Sequence, residues 1–214
     1  KIGDPKEFGA LVRVSEALDL PATTVWLAHN CPQGITATAD ARYPTPNWTP
    51  DSGWRVDKSL VYAHTLQESG FRNKVVSPAG AYGLMQIMPA AATDFAREKG
   101  LGAIDKSQLT KPSTNMDIGQ RHLERLRDMG SVTGGLLPKV IAAYNAGPKP
   151  VSEWNAIVHD KGDPLLYIES IPYWETRGYV VTVMRNYWMY EAQNAGASGK
   201  AAMPSRSALA QGMW

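Results

Sequence analysis

Glu68 is the side chain in this sequence whose position is best suited to proton transfer. Leu60, Val61, His64, Glu68 and Phe71 recur at steps of three and four residues, which places them on one face of a helix. The carboxyl group therefore continues the apolar face of that helix. Burial disfavours the charged form of a carboxyl and raises its pKa, which a general acid needs in order to donate a proton near neutral pH.

The helix that carries Glu68 has recognisable ends. Asp57 is a favourable N-cap and Gly70 is a typical stop, so Glu68 falls in the last turn. The carbonyl groups at the end of a helix disfavour negative charge, which also favours the protonated carboxyl. An isolated Glu on an apolar face is also compatible with a boundary residue or with one half of a structural pair. The helix alone leaves both interpretations open.

A distinctive segment follows the acid, with a turn-forming Ser-Pro, two glycines and a short apolar run. It is one of four in the chain: QES at 67–69, SPAGAYGLMQIMP at 77–89, AYNAGP at 143–148 and ESIPYWETRGYV at 169–180. In this order they resemble the motifs of the soluble lytic transglycosylases, enzymes that cleave peptidoglycan. The resemblance covers roughly residues 54–193. Its last segment is typical of the soluble, superhelical branch of that family.

The resemblance implies a mainly α fold: a lysozyme-like helical domain of the goose type with a small β-hairpin region, preceded by a short helical segment. We expect four parts, namely a helical segment at 1–30, a Pro-rich linker at 31–53, the catalytic domain at 54–194 and a C-terminal tail at 195–214. The segment at 1–30 is either the end of a superhelical domain or a helical decoration of a free-standing domain.

The resemblance also implies a reaction in which Glu68 is the single catalytic acid and base. Glu68 would protonate the β-1,4 bond oxygen between N-acetylmuramic acid and N-acetylglucosamine. The resulting carboxylate would then accept the proton of the muramic C6 hydroxyl as that hydroxyl attacks C1. The product is a 1,6-anhydromuramoyl end, and the reaction needs neither a metal nor a cofactor. An intramolecular hydroxyl has a high effective molarity, so the enzyme mainly has to hold the sugar and exclude water.

Substrate-binding roles follow from the same resemblance. Ser77 and Gln86 would hydrogen-bond the acetamido and hydroxyl groups of the glycan. Met88 would lie against a sugar face, and Tyr144 would hold the oxygen side of the reacting centre. Asn145 would support the wall of the cleft.

Two other functions stay open. A hydrolytic muramidase, or lysozyme, cleaves the same bond but needs a second carboxylate. Glu169 is the candidate for that carboxylate, although the resemblance implies only that it contacts the muramoyl side. A non-catalytic peptidoglycan-binding module is the other alternative. The joint presence of Glu68, Gln86 and Tyr144 argues against it, because a pure binder has no use for a proton donor on an apolar helix face.

Composition fits a soluble globular protein of 214 residues, with 43% hydrophobic and 20% charged residues. The net charge of +2 does not indicate a nucleic-acid interface. No apolar run is long enough to predict a membrane span. A single cysteine, Cys31, excludes an internal disulfide, and the residues near it offer no metal-binding set.

Location and partners are expected from the resemblance alone. The chain begins at Lys1 without an apolar export signal. The resemblance implies an exported precursor and a place in the periplasm of a Gram-negative bacterium. The implied partners are peptidoglycan glycan strands, and any cell-wall or secretion assembly is unspecified.

Further helices are predicted by their caps. Pro89 and Pro138 each suit the first turn of a helix. Thr114 with Asp117 resembles a capping box that opens another helix, in which Asp117 is spaced to pair with Arg121. The last long helix should pack through Val180, Val181, Met184, Tyr187 and Trp188.

Several polar residues are assigned to structure rather than to chemistry. His64 and His122 lie on apolar helix faces and are assigned to packing. Glu175 and Arg177 are expected to form a charge pair at the start of the last helix.

Overall fold

The computed structural model describes residues 4–197, and this part of the chain is mainly helical. It contains eleven helices: α1 (Pro5–Ala17), α2 (Pro21–His29), α3 (Ala39–Arg42), α4 (Lys58–Ser69), α5 (Pro89–Glu98), α6 (Lys106–Leu109), α7 (Pro112–Arg127), α8 (Leu137–Ala146), α9 (Pro148–Asn155), α10 (Pro164–Ser170) and α11 (Trp174–Ala197). None of these helices is long and apolar enough to cross a membrane.

The small β region lies between α4 and α5 and consists of two isolated antiparallel bridges. Tyr82 forms one bridge with Val76 and the other with Ile87. Tyr82 and Ile87 exchange two backbone hydrogen bonds of 2.9 Å. The mainly α fold with a small β region, predicted from the sequence, is therefore confirmed.

The helix α4 begins and ends where its capping residues predict. The carboxylate of Asp57 accepts a hydrogen bond from the backbone N–H of Ser59 at 2.8 Å. Gly70 caps the other end in the left-handed conformation, with φ of 56°. Pro89 opens α5 and Pro138 lies in the first turn of α8, also as predicted.

The predicted capping box at Thr114 is wrong. The helix α7 begins earlier, at Pro112, so Thr114 lies in its first turn and its hydroxyl donates to Asp51 at 2.7 Å. Asp117 accepts hydrogen bonds from Ser52 and Gln120 rather than pairing with Arg121. Proline at the first turn supplies the start signal that the capping box was expected to give.

The core surrounds α4. Every residue from 59 to 65 is buried, so this helix is covered on nearly all sides. The helix packs most extensively against α11, which in turn packs against α8. The last turn of α4, which carries Glu68, therefore directly follows a fully buried stretch of the same helix.

A second, smaller apolar cluster lies at the N-terminal end, where α1, α2 and α3 meet: Phe8, Val12, Leu27, Ala28, Ala37 and Ala41. The segment at 31–53 contains α3 and contacts the main core, since Tyr43 packs edge-on against Tyr190 at 5.6 Å. The helix α11 continues through Ala197. The predicted boundaries between the four parts remain predictions, and most of the predicted tail lies outside the described residues.

Candidate active site

Glu68 lies in the last turn of α4 and is half-buried. Burial raises the pKa of this carboxyl from its usual value to about 7, and a hydrogen bond from Tyr179 opposes part of that rise. A carboxyl with such a pKa is populated in both protonation states near neutral pH. It can therefore donate a proton in one step and accept one in the next.

Tyr179 is the partner of this acid. Its hydroxyl donates a hydrogen bond of 2.5 Å to Oε1 of Glu68. The side chain is 7% exposed and belongs to the buried stripe of α11, together with Val180, Val183, Met184 and Tyr187. Sequence reasoning assigned Tyr179 no role, although its register with that stripe could have revealed its burial.

Val181, which was expected on the packed face, is 47% exposed, so that prediction is wrong.

His64 lies behind Tyr179 and is fully buried. Its Nδ1 is 3.0 Å from the Tyr179 hydroxyl oxygen. When Glu68 is ionised, the single hydroxyl hydrogen of Tyr179 points to Glu68, so the histidine is the donor in this contact, with its proton on Nδ1. The Nε2 atom has no described hydrogen-bond partner, and burial lowers the pKa of His64 to about 3. His64 therefore stays neutral at physiological pH.

Tyr144 completes the cluster from α8. Its hydroxyl donates to the backbone carbonyl of Met85 at 2.8 Å. Its ring lies 4.6 Å from the His64 ring and 5.2 Å from the His122 ring, measured between centroids. Burial raises the pKa of Tyr144 well above its ordinary value, and the nearby Glu68 carboxylate raises it further. Tyr144 therefore remains a protonated hydrogen-bond donor.

A cavity of about 360 Å³ adjoins Tyr144, and its wall includes Gln86, Met88, His122 and Pro148. Gln86 has a positive φ of 49°, and its side-chain amide donates to the carbonyl of Gly83 at 2.9 Å. Met88 is 44% exposed. The structure thus brings three of the predicted substrate-binding residues, Gln86, Met88 and Tyr144, to one cavity.

Asn115 holds the loop that bears Gln86 in place. Its Oδ1 accepts from the backbone N–H of Met85 at 2.8 Å, and its Nδ2 donates to the carbonyls of Tyr82 and Leu109 at 2.9 and 2.8 Å. The side chain is fully buried. Sequence reasoning missed Asn115, although it lies three residues before Ile118 and extends the buried face of α7.

Close packing also fixes Gly83 in this loop. It has a φ of 73°, and a Cβ atom there would lie 2.6 Å from both the Asn115 side chain and the Leu109 carbonyl. Only glycine fits this position without displacing its neighbours.

The other predicted substrate-binding residues make local contacts. The hydroxyl of half-buried Ser77 accepts from the backbone N–H of Ala81 at 3.0 Å, which closes the turn between them. Asn145 is exposed, and its Oδ1 accepts from the Thr176 hydroxyl at 2.8 Å. Glu169 is exposed on α10. The roles of Ser77, Asn145 and Glu169 in substrate binding remain predictions.

The guanidinium of Arg177 makes a different contact from the one expected. Its Nε and Nη2 donate to the carbonyl of Ile171 at 3.1 and 2.8 Å, and within residues 4–197 no ion pair joins it to Glu175. The expected charge pair is wrong, because the free carbonyl at the end of α10 attracts the guanidinium. Between Asp4 and Ala197, no group of three or more His, Cys, Asp or Glu side chains is arranged to hold a metal ion.

Comparison with known proteins gives three consistent similarities. The soluble lytic murein transglycosylase of Escherichia coli strain K12 is 40% identical over 134 residues, which are 62% of this chain and 20% of that protein. The crystal structure of the 70 kDa soluble lytic transglycosylase from Escherichia coli matches with a TM-score of 0.78 and 29% identity, over 100% of this chain and 34% of that one.

A third similarity is to the lytic transglycosylase Slt of Pseudomonas aeruginosa, solved as an inactive mutant in which a glutamate is replaced by glutamine. It matches with a TM-score of 0.69 and 26% identity, over 94% of this chain and 32% of that one. This chain spans about a fifth of the length of the Escherichia coli relative. The family described as the transglycosylase SLT domain matches residues 49–166, more than half of the chain, so the chain belongs to that family.

Proposed function

We propose that this chain is a peptidoglycan lytic transglycosylase that cleaves the β-1,4 bond between N-acetylmuramic acid and N-acetylglucosamine. The observation that carries the proposal is the half-buried carboxyl of Glu68, with a pKa of about 7 and a hydrogen bond from Tyr179. The family membership of the chain and the names of its relatives support it. One of those relatives is inactive with a glutamate replaced by glutamine, which supports a glutamate as the reacting group.

In the first step Glu68 acts as a general acid. Its proton passes to the glycosidic oxygen as the bond between that oxygen and C1 of the muramic acid breaks, and N-acetylglucosamine leaves as the free alcohol. The muramic N-acetyl group assists the departure. Burial favours this step, since it keeps a fraction of Glu68 protonated near neutral pH.

In the second step Glu68 acts as a general base. The C6 hydroxyl of the muramic acid attacks C1, and its proton returns to the carboxylate. The hydrogen bond from Tyr179 stabilises that carboxylate, and His64 holds the Tyr179 oxygen from behind. The products are a 1,6-anhydromuramoyl end and a free N-acetylglucosamine end, and no water is consumed.

The glycan binds in the cavity beside Tyr144. We assign Gln86 and Met88 to the sugar that enters it, because one offers an amide and the other an exposed thioether surface. Ser77, Asn145 and Glu169 are proposed as further contacts along the cleft. The attacking hydroxyl belongs to the sugar itself, so the site has to position the sugar and needs no second carboxylate as nucleophile. One reacting carboxyl is therefore sufficient.

The hydrolytic alternative is less well supported. A muramidase needs a second carboxylate that acts as nucleophile or activates water, and Glu169 is exposed on α10.

We further propose that the chain works in the periplasm of a Gram-negative bacterium. The bacterial cell wall is the location of the glycan that the proposed reaction cleaves.

Digestion of purified peptidoglycan tests the proposal. The soluble products are separated and weighed by mass spectrometry. Products lighter by one water than the corresponding reducing-end sugars support the transglycosylase, and hydrated products support a muramidase. Absence of products in the presence of glycan binding would support a non-catalytic module.

A further inference from the structure

Trp174 is an unusually exposed aromatic residue. Its side chain is 81% exposed, more than that of any other large hydrophobic residue within 4–197. Tyr173 beside it is 54% exposed. Two adjacent exposed aromatic side chains form an apolar surface of the kind that marks a binding site, because aromatic side chains gain much free energy on burial.

A cavity of about 400 Å³ lies against these two rings. Its wall also contains Asn145, Glu175 and Thr176. The lining thus combines flat apolar surface with an amide, a carboxylate and a hydroxyl. A small number of polar groups within an aromatic wall is typical of sites that bind small organic ligands.

The wall of this cavity is fixed by its neighbours. The Tyr173 ring packs edge-on against Trp154 at 5.0 Å between centroids, and Trp154 is 4% exposed. The hydroxyl of Thr176 donates to Oδ1 of Asn145 at 2.8 Å. That bond orients the Asn145 amide and leaves its N–H groups available to a ligand.

Residues that line this cavity are neighbours in sequence of residues in the candidate active site. Asn145 directly follows Tyr144, whose ring lies against His64, and Trp174 begins the helix that carries Tyr179. A ligand in this cavity would therefore lie at the same end of α8 as the proposed reacting centre. A glycan strand, which extends beyond the two sugars at the cleaved bond, has further rings to place there.

We propose that Trp174 and this cavity form a subsite for an additional N-acetylhexosamine ring of the glycan strand, an inference that rests on the proposed function. The indole face stacks on the apolar C–H face of the sugar ring. The Asn145 amide donates to a sugar oxygen, and the Glu175 carboxylate accepts from a hydroxyl or from the acetamido N–H. The subsite makes affinity depend on strand length.

The test measures binding in the Glu68→Gln background, where turnover is removed. The ligands are peptide-free glycan strands of four or more sugars, prepared with an amidase, and the matching disaccharide. Trp174→Ala should weaken binding of the longer strands about five- to tenfold, the usual scale for removing an aromatic anchor, and leave the disaccharide unchanged. Trp174→Phe should restore most of the affinity.

The matched control is Trp26→Ala, since Trp26 is 57% exposed on α2 and should leave binding unchanged. Equal affinity of Trp174→Ala and its parent for long strands overturns the subsite. The same binding measurement is repeated with peptide-bearing strands, and a loss of affinity seen with these strands alone also overturns the subsite, because the occupant would then be the stem peptide. Failure of the proposed function would give a different result. The wild-type chain would then bind long strands more tightly than the disaccharide but would cleave neither.

Discussion

The hydroxyl of Tyr179 donates a hydrogen bond of 2.5 Å to Oε1 of Glu68, which joins the last turn of α4 to α11 across 111 residues of sequence. Two opposing effects meet at this carboxyl. Burial raises its pKa and the hydrogen bond lowers it, with a net value of about 7. The balance suits a group that must first donate and then accept a proton.

Tyr179→Phe removes the hydrogen bond and keeps the ring. The pKa of Glu68 should rise further, so the alkaline limb of the pH–activity profile should move to higher pH. Cleavage at the optimum should fall about tenfold or more, the usual scale for a hydrogen bond to a charged group. The measurement is a pH profile of kcat/KM on soluble glycan strands, with Tyr43→Phe as the matched control. An unshifted alkaline limb would show that Tyr179 does not act on Glu68.

Glu68→Gln should abolish cleavage while glycan binding persists. The variant keeps the size of the side chain and loses the proton, and general acid–base catalysis contributes about a hundred- to ten-thousandfold to a rate. Product release from peptidoglycan and strand binding are measured on the same preparation. Glu153→Gln, an exposed acid on α9, is the control. Normal cleavage by Glu68→Gln would remove Glu68 from the mechanism.

The same variant should change how stability depends on pH. The folded-state pKa of Glu68 is about 7, above the usual value of 4.5, so the folded protein binds the proton more tightly than the unfolded chain. The stability that protonated Glu68 contributes to the wild type is therefore lost as pH rises from 4.5 to 7, and this loss is absent in Glu68→Gln. The difference in unfolding free energy should favour the variant increasingly over this window. Urea unfolding at several pH values measures it, and a constant difference would contradict the raised pKa.

Replacement of His64 by Phe should act through Tyr179. The variant keeps a ring against Tyr144 but cannot donate to the Tyr179 oxygen, so Glu68 should become harder to deprotonate. Activity should fall about threefold to tenfold, with the alkaline limb at higher pH. In a Tyr179→Phe background, His64→Phe should not shift the alkaline limb of the pH–activity profile, because the Tyr179 hydroxyl that connects His64 to Glu68 is absent. An equal shift in both backgrounds would place His64 outside this chain of hydrogen bonds.

Asn115→Ala should destabilise the loop that bears Gln86. Three hydrogen bonds from a fully buried side chain are lost, and the groups left behind are buried without partners. We expect a loss of about 2–4 kcal/mol in unfolding free energy and a matching fall in glycan binding. Thermal unfolding and strand binding test this, and an unchanged melting temperature would contradict the assigned role.

Local signals account for the parts of the structure that the sequence predicted well. Asp57 and Gly70 set the ends of α4, and the spacing of apolar residues placed Glu68 near its buried face. The hydrogen bond between Tyr179 and Glu68 could not be predicted in this way, because no short-range pattern reports a contact between distant helices. The role of Asn115 was missed for a similar reason, since two of its hydrogen-bond partners, Tyr82 and Met85, lie in a loop about 30 residues away.

The errors have the same origin. Asp117 was expected to pair within its own helix, yet it accepts from Ser52, which lies 65 residues earlier. Arg177 was expected to pair with its neighbour and instead donates to the carbonyl at the end of α10. In both cases another hydrogen-bond partner takes the place of the expected ion pair.

The fate of solvent oxygen tests the central claim most directly. Peptidoglycan is digested by the wild-type chain in water enriched in oxygen-18, and the muropeptides are weighed. If the C6 hydroxyl attacks C1 and Glu68 accepts its proton, the new muramic ends are anhydro forms that carry no heavy oxygen. Incorporation of one heavy oxygen at those ends would mean that water attacks C1, and would contradict the transglycosylase mechanism.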